Sequence, residues 1–148
     1  MREGVRRVVL VMDRLREQLA AELGVGVHEL TALGHILAVP GITPSQLSTR
    51  LRISPGSTTG VVDRLAAAGL VLRVPHPGDH RSVQLQPTPA GAAARGHTEA
   101  VLDAALTQAI KAFPPGTGQD LAQHLHHIAS AVTRTTGGAR PAAVPYEL

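Results

Sequence analysis

The chain has 148 residues, no cysteine, a 43% hydrophobic content and a formal net charge of +3. These values suit one soluble domain with its own core, or two small layers sharing one. They exclude a disulfide framework, a thiolate metal site and a thiol switch. No apolar run reaches the roughly 20 residues that span a bilayer, and Arg14, Arg16 and Glu17 interrupt any signal-peptide pattern, so a cytoplasmic location is expected. Phe113 and Tyr146 are the only aromatics, which leaves Leu, Val, Ile and Ala to build the core.

From Val5 to Leu23, Val8, Met12, Leu15, Leu19 and Leu23 recur at spacings of three and four, an amphipathic helix stopped by Gly24 and Gly26. Leu30, Leu33, Ile36 and Leu37 mark a second helix that ends before Pro40-Gly41.

A local grammar then appears twice, eleven residues apart. Ile42-Thr43-Pro44-Ser45 and Ile53-Ser54-Pro55-Gly56 each place an apolar residue, a hydroxyl and a proline in order. The hydroxyl caps an orphan amide, and proline at the first helical position gives up an N–H that would be unpaired anyway. Thr43 and Gln46 form a capping box, with Ile42 stapled onto Leu47. The first of these helices has room only from Pro44 to Leu51. A tight turn at Arg52-Ile53 and a second helix to Ala68 complete a helix-turn-helix.

In that second helix Val61, Val62 and Leu65 are expected to point inward. Gly56, Ser57, Thr58, Thr59, Gly60 and Arg64 are expected on the outer face. Small polar residues at a helix N-terminus approach a phosphate or base edge closely, and the helix dipole favours the anion. Gly69 supplies the left-handed stop.

Leu70–Val74 and Ser82–Gln86 read as two strands around a loop of Pro75-His76-Pro77-Gly78, with Asp79, His80 and Arg81 also in the loop. A loop arginine can enter a minor groove, and Asp79 can orient Arg81 by charge-assisted hydrogen bonds. Thr88-Pro89 repeats the hydroxyl-proline start and opens a long helix to Phe113. After Pro114-Pro115-Gly116, Leu121, Leu125, Ile128 and Val132 form an apolar seam. The first helix and this seam have spare apolar faces of the kind a homodimer buries.

Charge follows the same division. Residues 1–42 and 82–148 are each neutral, whereas 43–81 hold five arginines against Asp63 and Asp79, so the whole excess lies there. That placement favours a polyanion partner.

Residues 28–91 resemble the winged helix-turn-helix of MarR-type transcription regulators. The resemblance rests on Leu47 through Leu51, Ser54-Pro55, Val62-Asp63-Arg64-Leu65, Gly69-Leu70-Val71, Asp79, Arg81-Ser82 and Thr88-Pro89-Ala90-Gly91. It implies a mainly α fold with a small β-wing. The winged domain at 28–91 would sit between helical dimerisation segments at 1–27 and 92–136, followed by a flexible tail at 137–148. It further implies a homodimer on a pseudo-palindromic duplex DNA operator, acting as a repressor relieved by a small-molecule ligand. Thr43, Ser54, Gly56, Ser57, Thr58, Thr59, Arg64, Arg73, His80 and Arg81 are the expected DNA-binding residues, with Asp79 orienting Arg81. Arg16 and His35 are guesses for a ligand site. No cofactor, no metal and no membrane partner is expected.

His76 and His80 stand where the family usually carries charge, which implies either a weaker wing contact or an affinity that rises as these histidines protonate near pH 6–7. Two other classes compete with this reading. A winged-helix protein-interaction module is opposed by Arg64, Arg73 and Arg81, and a metal-responsive regulator would use His97, His124, His126 and His127. An enzyme finds no support, because no Gly-x-Ser-x-Gly, phosphate loop or carboxylate pair is present.

Overall fold

A computed structural model describes residues 2–114 and 116–135, excluding the side chains of residues 79–81, 119 and 133. The expected tail at 137–148 lies outside the described residues. The order is α1 (Arg2–Glu22), α2 (Val27–Ala38), α3 (Pro44–Leu51), α4 (Pro55–Ala67), β1 (Val71–His76), β2 (Asp79–Pro87), α5 (Pro89–Lys111) and α6 (Thr117–Thr135). Two compact units result, residues 1–96 and 97–148, with the boundary inside α5.

The first unit is built on local stop and start signals. Gly24 at φ +68° ends α1, and the Val25 amide returns to the Ala20 carbonyl. Gly69 at φ +71° ends α4 in the same way, with the Leu70 amide on the Leu65 carbonyl. Thr43 Oγ1 accepts from the Gln46 amide while Gln46 Oε1 accepts from the Thr43 amide, the expected capping box. Each such cap contributes about 1 kcal/mol. Arg52 takes the left-handed conformation (φ 55°) at the end of α3, a position where glycine is the easier choice.

Ala32, Leu33 and Ile36 of α2, Ile42, Leu47 of α3, Val61, Val62 and Leu65 of α4, and Leu70, Val71 and Leu85 form one buried cluster. Fully burying a Leu, Ile or Val side chain contributes about 1.5–3 kcal/mol. The cluster holds three helices and the base of the β-hairpin in one layer. The Leu85 amide donates to the Ile42 carbonyl, so the hairpin is also tied to the segment before α3.

The hairpin is longer and its turn tighter than the sequence predicts. β1 and β2 pair antiparallel from Val71 opposite Pro87 to Pro75 opposite Val83. The register then shifts so that His76 faces Asp79 across Pro77-Gly78. Asp79, His80 and Arg81 therefore belong to a bulged strand and not to an open loop. Pro75 is tolerated inside β1 because a two-stranded sheet leaves one edge of every strand unpaired.

Thr88 joins the hairpin to α5. Its Oγ1 donates to the Gly69 carbonyl and accepts from the Gly91 amide. A Cβ on Gly91 would meet the Leu70 carbonyl oxygen at 2.2 Å. The Thr-Pro-Ala-Gly run thus needs its threonine as a cap and its glycine for close approach.

The terminal helices differ. In α1 only Leu19 and Ala20 are buried, and Val5 and Val8 through Val11 are exposed. In the second unit Leu106, Ile110, Phe113, Leu125, Ile128 and Val132 are exposed.

Candidate nucleic-acid interface

Helix α4 is held by one side and offers the other. Ser54 Oγ accepts from the Ser57 amide at 3.1 Å and shares a hydrogen bond with Ser57 Oγ at 2.9 Å. Val61, Val62 and Leu65 seat the helix in the core. Gly56, Ser57 and Thr59 are exposed, with Thr59 Oγ1 donating to the Pro55 carbonyl. A Cβ on Gly56 would touch nothing nearer than Ser54 Oγ at 4.0 Å, which leaves open space above the first turn.

Thr58 corrects the sequence reading. It is 1% exposed and its hydroxyl donates to the Ser54 carbonyl at 3.0 Å, so it belongs to the core side of α4 and not to the outer face. The spacing of Thr58 to Val61, Val62 and Leu65 already carried that signal, because residues three, four and seven apart share a helix face. Thr43 is likewise engaged in its capping box.

Two of the expected arginines are internally paired. Arg73 Nη2 lies 2.7 Å from Asp63 Oδ1, which fastens β1 to α4. Both groups are well exposed, so the pair contributes at most about 1 kcal/mol. Arg64 directs Nε and Nη2 to Glu29 Oε1 at 2.7 and 2.6 Å. Its side chain stays 62% exposed while Glu29 is 4% exposed overall. Burial pushes the Glu29 carboxyl up. The hydrogen bond from Arg64, the Glu29 and Gly26 amides and the Arg64 charge together outweigh it and hold the group below the ordinary 4.5.

The Asp79, His80 and Arg81 side chains lie outside the described residues, so the expected Asp79–Arg81 pair does too. His76 Nδ1 accepts from the Gly78 amide at 3.1 Å.

A cleft of about 910 Å³ opens between α2, the end of α3 and α4. His28, Glu29, His35, Arg50, Ser57 and Arg64 contribute its polar lining. His35 Nδ1 is buried without a hydrogen-bond partner. Burial first, then the Arg50 charge, lowers the His35 pKa below its usual value. Of the two ligand guesses, His35 lines this cleft and Arg16 does not. Arg16 instead donates to Thr31 Oγ1, itself a lining residue, at 2.8 Å.

Sequence reasoning missed Glu29, Arg50 and Arg52. Glu29 was visible as an acid at the third position after Gly26, but its partner is 35 residues away. Arg50 and Arg52 enter the sequence reading through the charge excess, Arg52 also in the turn after α3, with no contact assigned to either. In α6, His124 Nδ1 pairs with the Asp120 backbone carbonyl. Among the described residues no three His, Asp or Glu side chains are grouped to hold a metal ion. No helix among them is long and apolar enough to cross a membrane.

The chain is similar to known proteins in sequence and in fold. The family model described as MarR family matches residues 23–82. The multiple antibiotic resistance protein MarR of Escherichia coli K12 is 35% identical over 81 residues, 55% of this chain and 56% of the relative. The HTH-type transcriptional regulator PecS of Dickeya dadantii is 34% identical over 88 residues, 57% of this chain and 53% of PecS. The match thus spans just over half the length of these curated relatives. Among solved structures, the Staphylococcus aureus MepR chain of a MepR–DNA complex superposes with a TM-score of 0.73 at 13% identity, covering 89% of this chain and 99% of that one. The YusO protein of Bacillus subtilis gives 0.73 at 18% identity, covering 88% and 92%. At those identities the likeness concerns the fold.

Proposed function

We propose that this chain is a winged-helix transcription regulator of MarR type and not an enzyme, acting as a homodimeric, cytoplasmic repressor of a pseudo-palindromic operator; the family model over residues 23–82 and the MarR and PecS relatives support this reading. The observation that carries the reading is α4. It is capped by Ser54, seated by three core residues, and open along Gly56, Ser57, Thr59 and Arg64. A helix presented this way can enter a major groove, where small polar side chains and arginine read base edges. MepR, of the same fold, was solved with DNA, which supports the reading.

Exposed Val8–Val11 on α1 and Leu125, Ile128 and Val132 on α6 supply apolar surface for a two-fold partner. Two-fold symmetry would place two α4 helices one helical turn of DNA apart, about 34–36 Å. The effector is assigned to the cleft beside α4. It is a small molecule whose polar groups answer Arg50 and the unpartnered His35 Nδ1.

Selection from random duplex DNA followed by gel shifts over a salt series tests the proposal. A two-fold symmetric consensus and a steep log-linear loss of affinity with salt are expected. No shift at any salt concentration would overturn DNA binding and leave the protein-interaction module.

A further inference from the structure

We propose that Glu29 is a positioning residue for DNA recognition, holding the Arg64 guanidinium along the open face of α4 in the orientation that meets DNA. The inference rests on the DNA-binding reading above and adds a residue on a different helix, outside the expected contact set.

The carboxylate is itself fixed. It sits in the first turn of α2, 4% exposed, and a Cβ on Gly26 would come within 2.5 Å of its Oε2. Glu29 Oε1 takes both Nε and Nη2 of Arg64, so one edge of the guanidinium is committed inward. The Nη1 corner is the one left over. It lies 3.4 Å from where a Cβ on Gly60 would stand, so the planar group lies back over Gly60, toward the turn that carries Ser57.

A buried carboxylate beside a polyanion site has a cost. It repels phosphate and must be desolvated. Its compensation here is order. A long arginine left free must lose its rotamer freedom when it binds, and one already held by two hydrogen bonds loses less.

The electrostatic and positioning effects of Glu29 have opposite signs, which makes the inference testable. Removing a negative charge near the interface must by itself strengthen binding to any duplex. Losing the platform must weaken binding to the selected sequence. The experiment uses the full chain, the best duplex from random-sequence selection, and sheared genomic DNA as the non-specific probe. Glu29→Gln is expected to bind the selected duplex about tenfold more weakly, the loss of roughly one good side-chain contact. Binding to sheared DNA should be unchanged or tighter. In an Arg64→Ala background, Glu29→Gln should cause no further loss. Glu29→Asp, which keeps the negative charge and draws the carboxylate back from Arg64, should weaken selected binding severalfold and decides the matter if Glu29→Gln does not fold. Equal or tighter binding of the selected duplex by Glu29→Gln, or by Glu29→Asp in its place, would overturn the inference. So would a loss that simply adds to that of Arg64→Ala. Failure of the wild-type protein to bind either DNA would instead refute the DNA-binding reading itself.

Discussion

In the winged-helix core, Leu33, Ile36, Leu47, Leu65 and Leu85 are all buried, and three helix starts are closed by Thr43, Ser54 and Thr88. In the first half of α1 and along α6, Val8–Val11, Leu125 and Val132 stand exposed. Both regions are helical and equally aliphatic. What separates them is whether those apolar side chains are buried or exposed. The core is a finished object whose stability is its own. The terminal helices carry exposed apolar side chains, and on the proposed reading a second copy covers them and so sets the spacing of two DNA-reading helices.

Substitutions can sharpen or break this contrast. Leu47→Ala removes a fully buried side chain and should destabilise the protein by about 3 kcal/mol in denaturant unfolding. Gly91→Ala gains helix propensity, yet must push against the Leu70 carbonyl, and a net loss of about 2 kcal/mol is expected from overpacking. Leu125→Asp should barely change the unfolding of the 1–96 unit. It should raise the dimer dissociation constant in sedimentation at least tenfold, about the 1.5 kcal/mol that one apolar side chain contributes on burial. An equally large loss of core stability in that variant would erase the distinction between the regions. Thr43→Ala should cost about 1 kcal/mol through its lost cap. The smallest effect is acid sensitivity at the α2–α4 junction. The folded-state pKa of Glu29 is depressed, so the unfolded chain binds its proton more readily. The stability that Glu29 contributes is present above the unfolded-state pKa and declines as pH falls through the lower folded value. Melting of Glu29→Gln should depend less on pH in that acid range than melting of the unmodified chain.

Much of the fold was legible because it is encoded locally. The hydroxyl-proline pairs at Thr43, Ser54 and Thr88 fixed where α3, α4 and α5 begin, and Gly24 and Gly69 fixed two ends. The wing was only half legible. Pro75 reads as a breaker in isolation and becomes a legitimate strand residue once its outer edge has no neighbour. The interface was legible as a helix face but not as a set of contacts. Arg64 and Arg73 look equally free in the sequence, and only folding brings Glu29 and Asp63 to them. Thr58 was misplaced by its polarity, although its spacing from Val61, Val62 and Leu65 placed it inward.

The most direct test of the central claim is a salt-resolved binding titration of the full chain on a selected two-fold duplex and on the same duplex with one half-site scrambled. The account predicts tight binding to the symmetric duplex, a log-linear decline with salt, and loss of most affinity when one half-site is scrambled. Equal affinity for both duplexes, or binding indifferent to salt, would contradict it.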